Sequence, residues 1–162
     1  MSRKTGLFLI AASCMALGVA WFVEHVMSVM PCELCLAERW PWRILLVIGL
    51  VDVLLPGAAG GVVLWLAAPV LLASCALAVC HAGVEWHWWP SPFPACRAPH
   101  VTGTTMAERL ASMPRFPSKP CDAPTYLIPD LPVSMSVMGG GYAAVVLLIF
   151  VKLKLMKKRV FR

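Results

Sequence analysis

The sequence predicts an all-α membrane protein, a four-transmembrane-helix bundle with two loops on the outer side of the membrane. Only 14% of the 162 residues are charged and 60% are hydrophobic, whereas soluble domains carry about a quarter charged residues. Three stretches, residues 6–23, 57–80 and 131–151, contain no charged side chain. Each is long enough, or nearly so, to cross a hydrocarbon core of about 30 Å.

A fourth apolar stretch, residues 36–55, completes the bundle although charged side chains interrupt it near its two ends. Long side chains at those positions can reach the membrane interface. We expect the first stretch to be retained and not cleaved as a signal peptide, because its apolar run continues to Val23. Within a single membrane domain, 1–162, the predicted spans are about 6–24, 36–55, 61–82 and 132–152, and the predicted outer loops are about 25–35 and 83–131.

The basic residues predict the orientation of the bundle. Eight of the fourteen lysines and arginines lie at the two ends of the chain. Arg3 and Lys4 precede the first span, and the other six of these eight follow Val151. Because cytoplasmic segments carry an excess of Lys and Arg, both termini are predicted to be cytoplasmic and both loops to lie outside. The net charge of +6 is therefore a topology signal, and we expect no nucleic-acid partner.

The second outer loop is rich in proline and is predicted to lack a core of its own. It holds most of the fourteen prolines of the chain, and proline at that density breaks helices and removes backbone donors. One short segment is helical by pattern, with Thr104 or Thr105 as N-cap. Met106, Leu110 and Met113 then share one face, which predicts a short amphipathic helix on the membrane surface.

Tryptophans mark the predicted membrane boundaries. Trp40 and Trp42 lie at the outer start of the second span, and Trp86, Trp88 and Trp89 lie at the outer end of the third. Amphipathic indole rings favour the headgroup level of a bilayer. The sequence therefore predicts that these five side chains form part of an aromatic belt.

The seven cysteines divide into a group in the spans and a group outside. Cys14 and Cys75 fall within apolar spans, where a thiol behaves as a small hydrophobe, and Cys80 is ambiguous. The other four lie on the outer side: Cys32, Cys35, Cys96 and Cys121. In an oxidising compartment they should be paired. A local pair and a loop pair is the natural connectivity, although the sequence permits three.

The Cys-x-x-Cys pair has features of a redox site. Cys35 stands at or beside the first turn of the second span, where the partial positive charge of a helix N-terminus stabilises a thiolate. Arg39 follows four residues later, on the same helical face. A thiolate with a guanidinium nearby is reactive. Because thiol–disulfide exchange can connect two pairs, the four cysteines point to a thiol oxidoreductase.

Two alternatives remain open at this point. The four cysteines could form two structural disulfides in a non-catalytic membrane scaffold. A three-residue disulfide loop stabilises little, however, and Arg39 would be unexplained. The second alternative is a zinc site with Cys32, Cys35, His81 and His87 as ligands. We expect no metal, because the sequence contains no second Cys-x-x-Cys and no compact His–Cys grouping.

The cysteine segments resemble those of a known family. Residues 31–39 read Pro-Cys-Glu-Leu-Cys-Leu-Ala-Glu-Arg, which is similar to the Pro-Cys-x-x-Cys-x-x-Glu-Arg signature of the disulfide bond formation protein B family. Residues 90–96, Pro-Ser-Pro-Phe-Pro-Ala-Cys, resemble its second loop, and Cys121-Asp122 resembles the second cysteine of that loop. The resemblance covers nearly the whole chain in order and spacing.

The resemblance implies a function and a division of roles among the cysteines. The protein would lie in a bacterial inner membrane and reoxidise a periplasmic thioredoxin-fold thiol oxidase. Cys96, paired with Cys121, would be attacked by that partner, and Cys32, paired with Cys35, would receive the electrons. Cys35 would face the cofactor, ubiquinone or menaquinone, as a thiolate stabilised by Arg39. From the histidine-containing end of the third span, His81 and His87 are the further candidates for quinone binding.

Overall fold

The fold was taken from a computed structural model, which describes residues 2–55, 58–93, 96, 104–112, 119–128 and 131–160. Over these residues it is all-helical, apart from one isolated β-bridge between Tyr126 and Ser134. This agrees with the predicted all-α class. The elements are α1 (Ser2–His25), α2 (Glu33–Leu54), α3 (Ala58–Val63), a 3₁₀ turn (Leu64–Leu66), α4 (Ala67–Glu85), α5 (Met106–Ala111) and α6 (Met135–Val160).

Three helical segments within the described residues are long and apolar enough to cross a membrane. They are Arg3–His25, Gly60–Glu85 and Met135–Leu155. Helix α2 has 22 residues and is therefore about 33 Å long at about 1.5 Å per residue, but it carries five charged side chains. These are Glu33, Glu38, Arg39, Arg43 and Asp52. A fourth span along α2 stays a prediction.

The third helical segment is not continuous, and proline explains why. Pro69 lies in the first turn of α4, and its ring has no N–H to donate to the carbonyl of Trp65. The chain between α3 and α4 narrows to a 3₁₀ turn over Leu64–Leu66, and the Ala67 N–H reaches the carbonyls of Leu64 and Trp65. The chain keeps its direction through this turn. The C-terminal end of α4 therefore lies at the same end of the bundle as the start of α2.

Helices α1 and α2 cross closely because two glycines meet there. A Cβ added at Gly49 would lie 2.9 Å from the carbonyl oxygen of Gly6, and one added at Gly6 would lie 2.6 Å from Oδ2 of Asp52. Small residues allow backbones to approach in this way in membrane bundles. The Asp52 carboxylate is fully buried beside this crossing, and its oxygens have no hydrogen-bond partner among the described residues.

The bundle core lies between α1, α2, α4 and α6 and is aliphatic and aromatic. Its largest buried members include Leu9, Leu45, Leu71 and Phe150. The Tyr142 hydroxyl donates a hydrogen bond to the carbonyl of Ala12 at 3.0 Å and ties α6 to α1. Burial of these side chains supplies the van der Waals contacts that hold membrane helices together.

The predicted belt position is wrong for one of the five tryptophans, Trp42. Trp42 is buried in the core, 8% exposed, and its ring contacts Tyr142 at 5.3 Å, whereas Trp40 is 61% exposed. Two residues apart on a helix correspond to about 200° of rotation, so the two rings cannot face the same side. Trp86, Trp88 and Trp89 are exposed, as a belt position requires.

The predicted short helix of the second outer loop is present as α5. Thr105 caps it: the Thr105 side chain accepts from the Glu108 N–H, and the Glu108 carboxylate accepts from the Thr105 N–H. Met106 and Leu110 are exposed, and Met113 lies outside the described residues. Its position on a membrane surface stays a prediction.

A substitution at the α1–α2 crossing should separate the helices. We expect Gly49→Ala to destabilise the fold by about 1–3 kcal/mol, because the new methyl group meets backbone atoms that cannot move independently. The measurement is the thermal unfolding temperature of the detergent-solubilised chain. Gly18→Ala is the matched control, since nothing lies within 4 Å of a Cβ there; equal losses in both variants would contradict the close crossing.

Candidate active site

The four predicted redox cysteines lie together at one end of the bundle. Cys96 and Cys121 form a disulfide, and they share a buried cluster with Cys32, Leu34 and Val84, against which Cys35 packs. The cluster joins the second outer loop to the start of α2 and the end of α4. We call this part of the molecule the cysteine end. The structure thus brings together two pairs that are far apart in sequence.

Cys32 and Cys35 are free thiols in the structure, and their sulfurs lie 2.6 Å apart. Cys32 is the N-cap of α2, and its sulfur accepts a hydrogen bond from the backbone N–H of Cys35 at 3.2 Å. Because Cys32 already accepts this bond, the Cys35 thiol is the natural donor of the bond between the two sulfurs. The two sulfurs are not joined by a bond in the structure, and the predicted Cys32–Cys35 disulfide stays a prediction.

Cys32, more than Cys35, occupies the position that favours a thiolate. The hydrogen bond from the Cys35 thiol lowers the pKa of Cys32 below its ordinary value, and the Cys35 N–H adds to this effect against the opposing effects of burial and of Glu38. A sulfur at the helix N-terminus also benefits from the helix dipole. The predicted role of Cys35, a thiolate that faces the quinone, stays a prediction.

His81 connects α4 to this pair. Its Nε2 lies 3.5 Å from the Cys32 sulfur, and its Nδ1 lies 3.1 Å from Oε1 of Glu38 on α2. A carboxylate can only accept, so Nδ1 carries the hydrogen and Nε2 presents its lone pair to the sulfur when the ring is neutral. His81, predicted as a quinone ligand, is thus held beside Cys32 with a defined orientation.

A buried carboxylate completes the network. Glu85 stands one turn after His81, and its Oε1 lies 3.7 Å from the His81 Nε2. Its Oε2 accepts a hydrogen bond from the Ser136 hydroxyl at 2.5 Å, and Ser136 in turn contacts Ser134 at 2.9 Å. Polar groups buried at this depth need such partners. The network therefore joins α2, α4 and the start of α6.

Arg39 lines the same region but pairs with a residue that sequence reasoning missed. Its Nη1 donates to Oε2 of Glu24 on α1 at 2.6 Å, and the two side chains are 17% and 31% exposed. The Glu24 carboxylate therefore balances part of the guanidinium charge. A guanidinium has five N–H donors, so this bond leaves others for a ligand.

A cavity of about 320 Å³ opens beside the two thiols. Its sides are mainly apolar side chains of α1 and α6, including Met15, Val19, Met138 and Tyr142. Its polar lining is concentrated at the cysteine end, in Cys32, Cys35, Glu24, Glu38, Arg39, His81 and Glu85. Apolar walls with a few convergent polar groups are typical of small-molecule sites of this volume.

The segment between α5 and α6 closes the end of this cavity that lies at the cysteine end. Lys119, Ala123, Thr125 and Leu127 line it, and the Lys119 ammonium donates to the carbonyl of Pro124 and to the Thr125 hydroxyl. Cys121 lies within the same segment. Opening of the Cys96–Cys121 disulfide would therefore affect the residues that close this end of the cavity.

His87, the other predicted quinone ligand, is not brought to the site. It follows the C-terminal end of α4 with φ 57°, a left-handed conformation that ends the helix, and its side chain is exposed. It does not line the cavity. The residues that sequence reasoning missed are Glu24, Glu38 and Ser136. Only Glu38 had a sequence signal, since it belongs to the Cys-x-x-Cys-x-x-Glu-Arg segment.

The structure also contradicts one reason for expecting no metal, the absence of a compact His–Cys grouping. The ligand atoms of Cys32, Cys35 and His81 all lie within 4.8 Å of one another, so a compact His–Cys grouping does exist. It was hidden because His81 is 49 residues away from Cys32 in sequence.

A helical bundle that buries a disulfide beside a dithiol, next to an apolar cavity, defines a thiol–disulfide oxidoreductase of the membrane. The family model described as "Disulfide bond formation protein DsbB" matches residues 2–154 of this chain. The chain therefore belongs to the DsbB family, the membrane thiol oxidases that generate disulfide bonds. A search of curated proteins and a search of solved structures each found no match.

The pKa of Cys32 gives a test of the site geometry. A lowered pKa means that the thiolate forms at lower pH, so the reduced chain should be alkylated at Cys32 at a pH where an ordinary thiol, with a pKa of about 8.5, is still protonated. Cys35→Ala removes the thiol donor and should move this profile to higher pH. The measurement is the rate of Cys32 modification against pH by mass spectrometry. Cys80→Ala is the control, and identical profiles in the Cys35 variant and the parent chain would contradict the bond.

Proposed function

We propose that this protein oxidises a periplasmic thioredoxin-fold thiol oxidase and passes the electrons through both cysteine pairs to a membrane quinone. The observation that carries the proposal is the Cys32/Cys35 pair, packed against the Cys96–Cys121 disulfide at the end of an apolar cavity. Each pair has a neighbour with which it can exchange. The pair next to the cavity is the one whose sulfurs are not bonded to each other.

The proposed topology places α2 across the membrane as a fourth span. Its length of about 33 Å matches the hydrocarbon core, and three of its five charged residues, Glu38, Arg39 and Asp52, are at most partly exposed. The lysines and arginines at the chain ends favour a cytoplasmic position for both termini. The cysteine end then faces the periplasm of a bacterial inner membrane, which suits disulfide exchange.

The electrons move in three balanced steps. The partner dithiol reduces the Cys96–Cys121 disulfide through a mixed disulfide at Cys96, and the partner leaves oxidised. The Cys96/Cys121 dithiol then reduces a Cys32–Cys35 disulfide, and the loop disulfide reforms. The Cys32/Cys35 dithiol finally gives up two electrons and two protons and returns to a disulfide.

The partners of Cys32 favour this direction. The hydrogen bonds from Cys35 and the nearby His81 stabilise the reduced pair at Cys32. A dithiol whose reduced form is stabilised belongs to a more oxidising couple. The Cys32–Cys35 disulfide should therefore draw electrons from the loop pair.

The cavity fits a quinone headgroup and the beginning of its isoprenoid tail. Bound ubiquinone or menaquinone would supply the acceptor for two electrons and two protons. Arg39, tethered to Glu24, can donate a further hydrogen bond into the cavity. His81 can hold a proton at Nε2 beside the Cys32 sulfur, while Glu38 keeps the ring in place. The apolar walls from α1 and α6 exclude water from this reaction.

The rival proposal, a membrane scaffold with two structural disulfides, has less support. A scaffold gains nothing from a reducible three-residue pair. It also has no need for a buried histidine and two carboxylates next to free thiols, because buried ionisable groups are costly to keep in a membrane protein. A scaffold would further leave the cavity beside the thiols without a purpose.

Replacement of Arg39 should separate quinone chemistry from folding. With a reduced thioredoxin-fold oxidase as electron donor and a soluble ubiquinone analogue as acceptor, we expect Arg39→Gln to reduce the rate of quinol formation by about 10- to 100-fold. This is the usual range when one charged hydrogen-bond donor worth about 1.5–3 kcal/mol is lost. Arg43→Gln is the matched control, since Arg43 is exposed on the same helix and contacts Trp40.

Cys35→Ala should abolish quinol formation in the same assay. The proposal would fail if the parent chain oxidised no donor, or if Cys35→Ala reduced the quinone at the parental rate. Thiols of the parent chain that stayed unreactive towards alkylation before and after exposure to donor and quinone would support the scaffold instead.

A further inference from the structure

We propose that the reduced Cys32/Cys35 pair, together with His81, is a binding site for a thiophilic divalent cation such as Zn²⁺. The three ligand atoms, two sulfurs and one imidazole nitrogen, lie within 4.8 Å of one another. Thiolate and imidazole are the ligands that zinc prefers in proteins. The site would exist only in the reduced protein, because a disulfide offers no thiolate.

The distance between Cys32 and His81 already matches a zinc site. With Zn–S of about 2.3 Å and Zn–N of about 2.0–2.1 Å at tetrahedral angles, sulfur and nitrogen lie about 3.5 Å apart. The distance between the Cys32 sulfur and the His81 Nε2 is 3.5 Å. To bind one zinc ion, the two sulfurs must separate from 2.6 Å to about 3.8 Å.

The surroundings of His81 are those of a metal-binding histidine. Metal-bound imidazoles commonly donate their second N–H to a carboxylate, which fixes the ring and strengthens the ligand. In this protein Glu38 accepts from Nδ1 at 3.1 Å, and Nε2 faces the sulfur. The sequence offered Cys32, Cys35 and His81 as zinc ligands together with His87, but it gave no sign of the contact between His81 and Glu38.

Glu85 lies beside the three ligand atoms and is the candidate for a fourth ligand. Its Oε2 is held by Ser136, while its Oε1 lies 3.7 Å from the His81 Nε2. Nitrogen and oxygen ligands of one tetrahedral zinc ion lie about 3.4 Å apart, so the carboxylate would have to move towards the cation to bind it. The two thiolates alone would balance the charge of the cation, a bound carboxylate would leave the site with one net negative charge, and the two thiol protons would be released to solvent when the cation binds.

Metal binding would regulate the same pair of cysteines that the proposed function uses. A cation held by both sulfurs prevents their oxidation, so the dithiol could not deliver electrons to quinone. This consequence rests on the proposed function, whereas the binding site itself does not. We infer that free Zn²⁺ traps the protein in its reduced state and stops turnover until the metal is removed.

The test uses the full chain in detergent, reduced with a phosphine, freed of reductant and titrated with Co²⁺ as a spectroscopic probe. We expect one equivalent to bind with the visible absorption of tetrahedral thiolate-bound cobalt, one equivalent of Zn²⁺ to displace it, and the oxidised chain to give no band. Glu38→Gln should weaken the affinity by about 10- to 100-fold, as removal of a carboxylate behind a metal-bound histidine does. His87→Gln should leave the affinity unchanged.

X-ray absorption of the zinc-bound parent chain gives a second readout that needs no variant. Two sulfurs and at least one imidazole in the coordination shell would support the site. Absence of binding by the reduced chain, a shell without imidazole, or equal affinity of the Glu38→Gln and parent chains would each overturn it. Quinol formation without metal, measured in parallel, tests the proposed function separately; with Zn²⁺ it should be lost and return when a chelator is added.

Discussion

The sulfur of Cys32 is the point on which the arrangement of the cysteine end depends. As N-cap of α2 it accepts the Cys35 N–H, it shares a hydrogen bond with the Cys35 thiol, and it lies beside the Nε2 of His81. These contacts join α2 to α4 through a group that can change its redox state. Because the two hydrogen bonds from Cys35 favour a Cys32 sulfur that carries negative charge, they bear on the reactivity of the pair and on its affinity for a cation.

The polar network behind Cys32 is costly, and the fold supplies the partners that offset the cost. His81 and Glu85 are both buried, yet His81 reaches Glu38 and Glu85 reaches Ser136. A buried ionisable group without such partners costs several kcal/mol. The contrast with Asp52 is clear, because that carboxylate is buried at the α1–α2 crossing without a hydrogen-bond partner among the described residues. The structure gives no physical account of Asp52.

Much of the fold and part of the site could be predicted from local sequence patterns. Uncharged runs gave the all-α class, and the threonine and glutamate around Met106 gave the start of α5. Contacts between helices could not be predicted from local sequence patterns. Arg39 pairs with Glu24 on another helix. His81 contacts Cys32 and Glu38, which are more than 40 residues away in sequence. His87 lies away from the cavity because it follows the end of α4 in a left-handed conformation, with its side chain exposed.

One measurement without partner or quinone can test whether the Cys32/Cys35 pair is more oxidising than the Cys96/Cys121 pair. The fully oxidised chain would receive one equivalent of dithiothreitol under anaerobic conditions, and at equilibrium its free thiols would be alkylated and located by mass spectrometry. We expect label on Cys32 and Cys35, with the Cys96–Cys121 disulfide intact. Label on Cys96 and Cys121, with Cys32 and Cys35 still bonded, would contradict it.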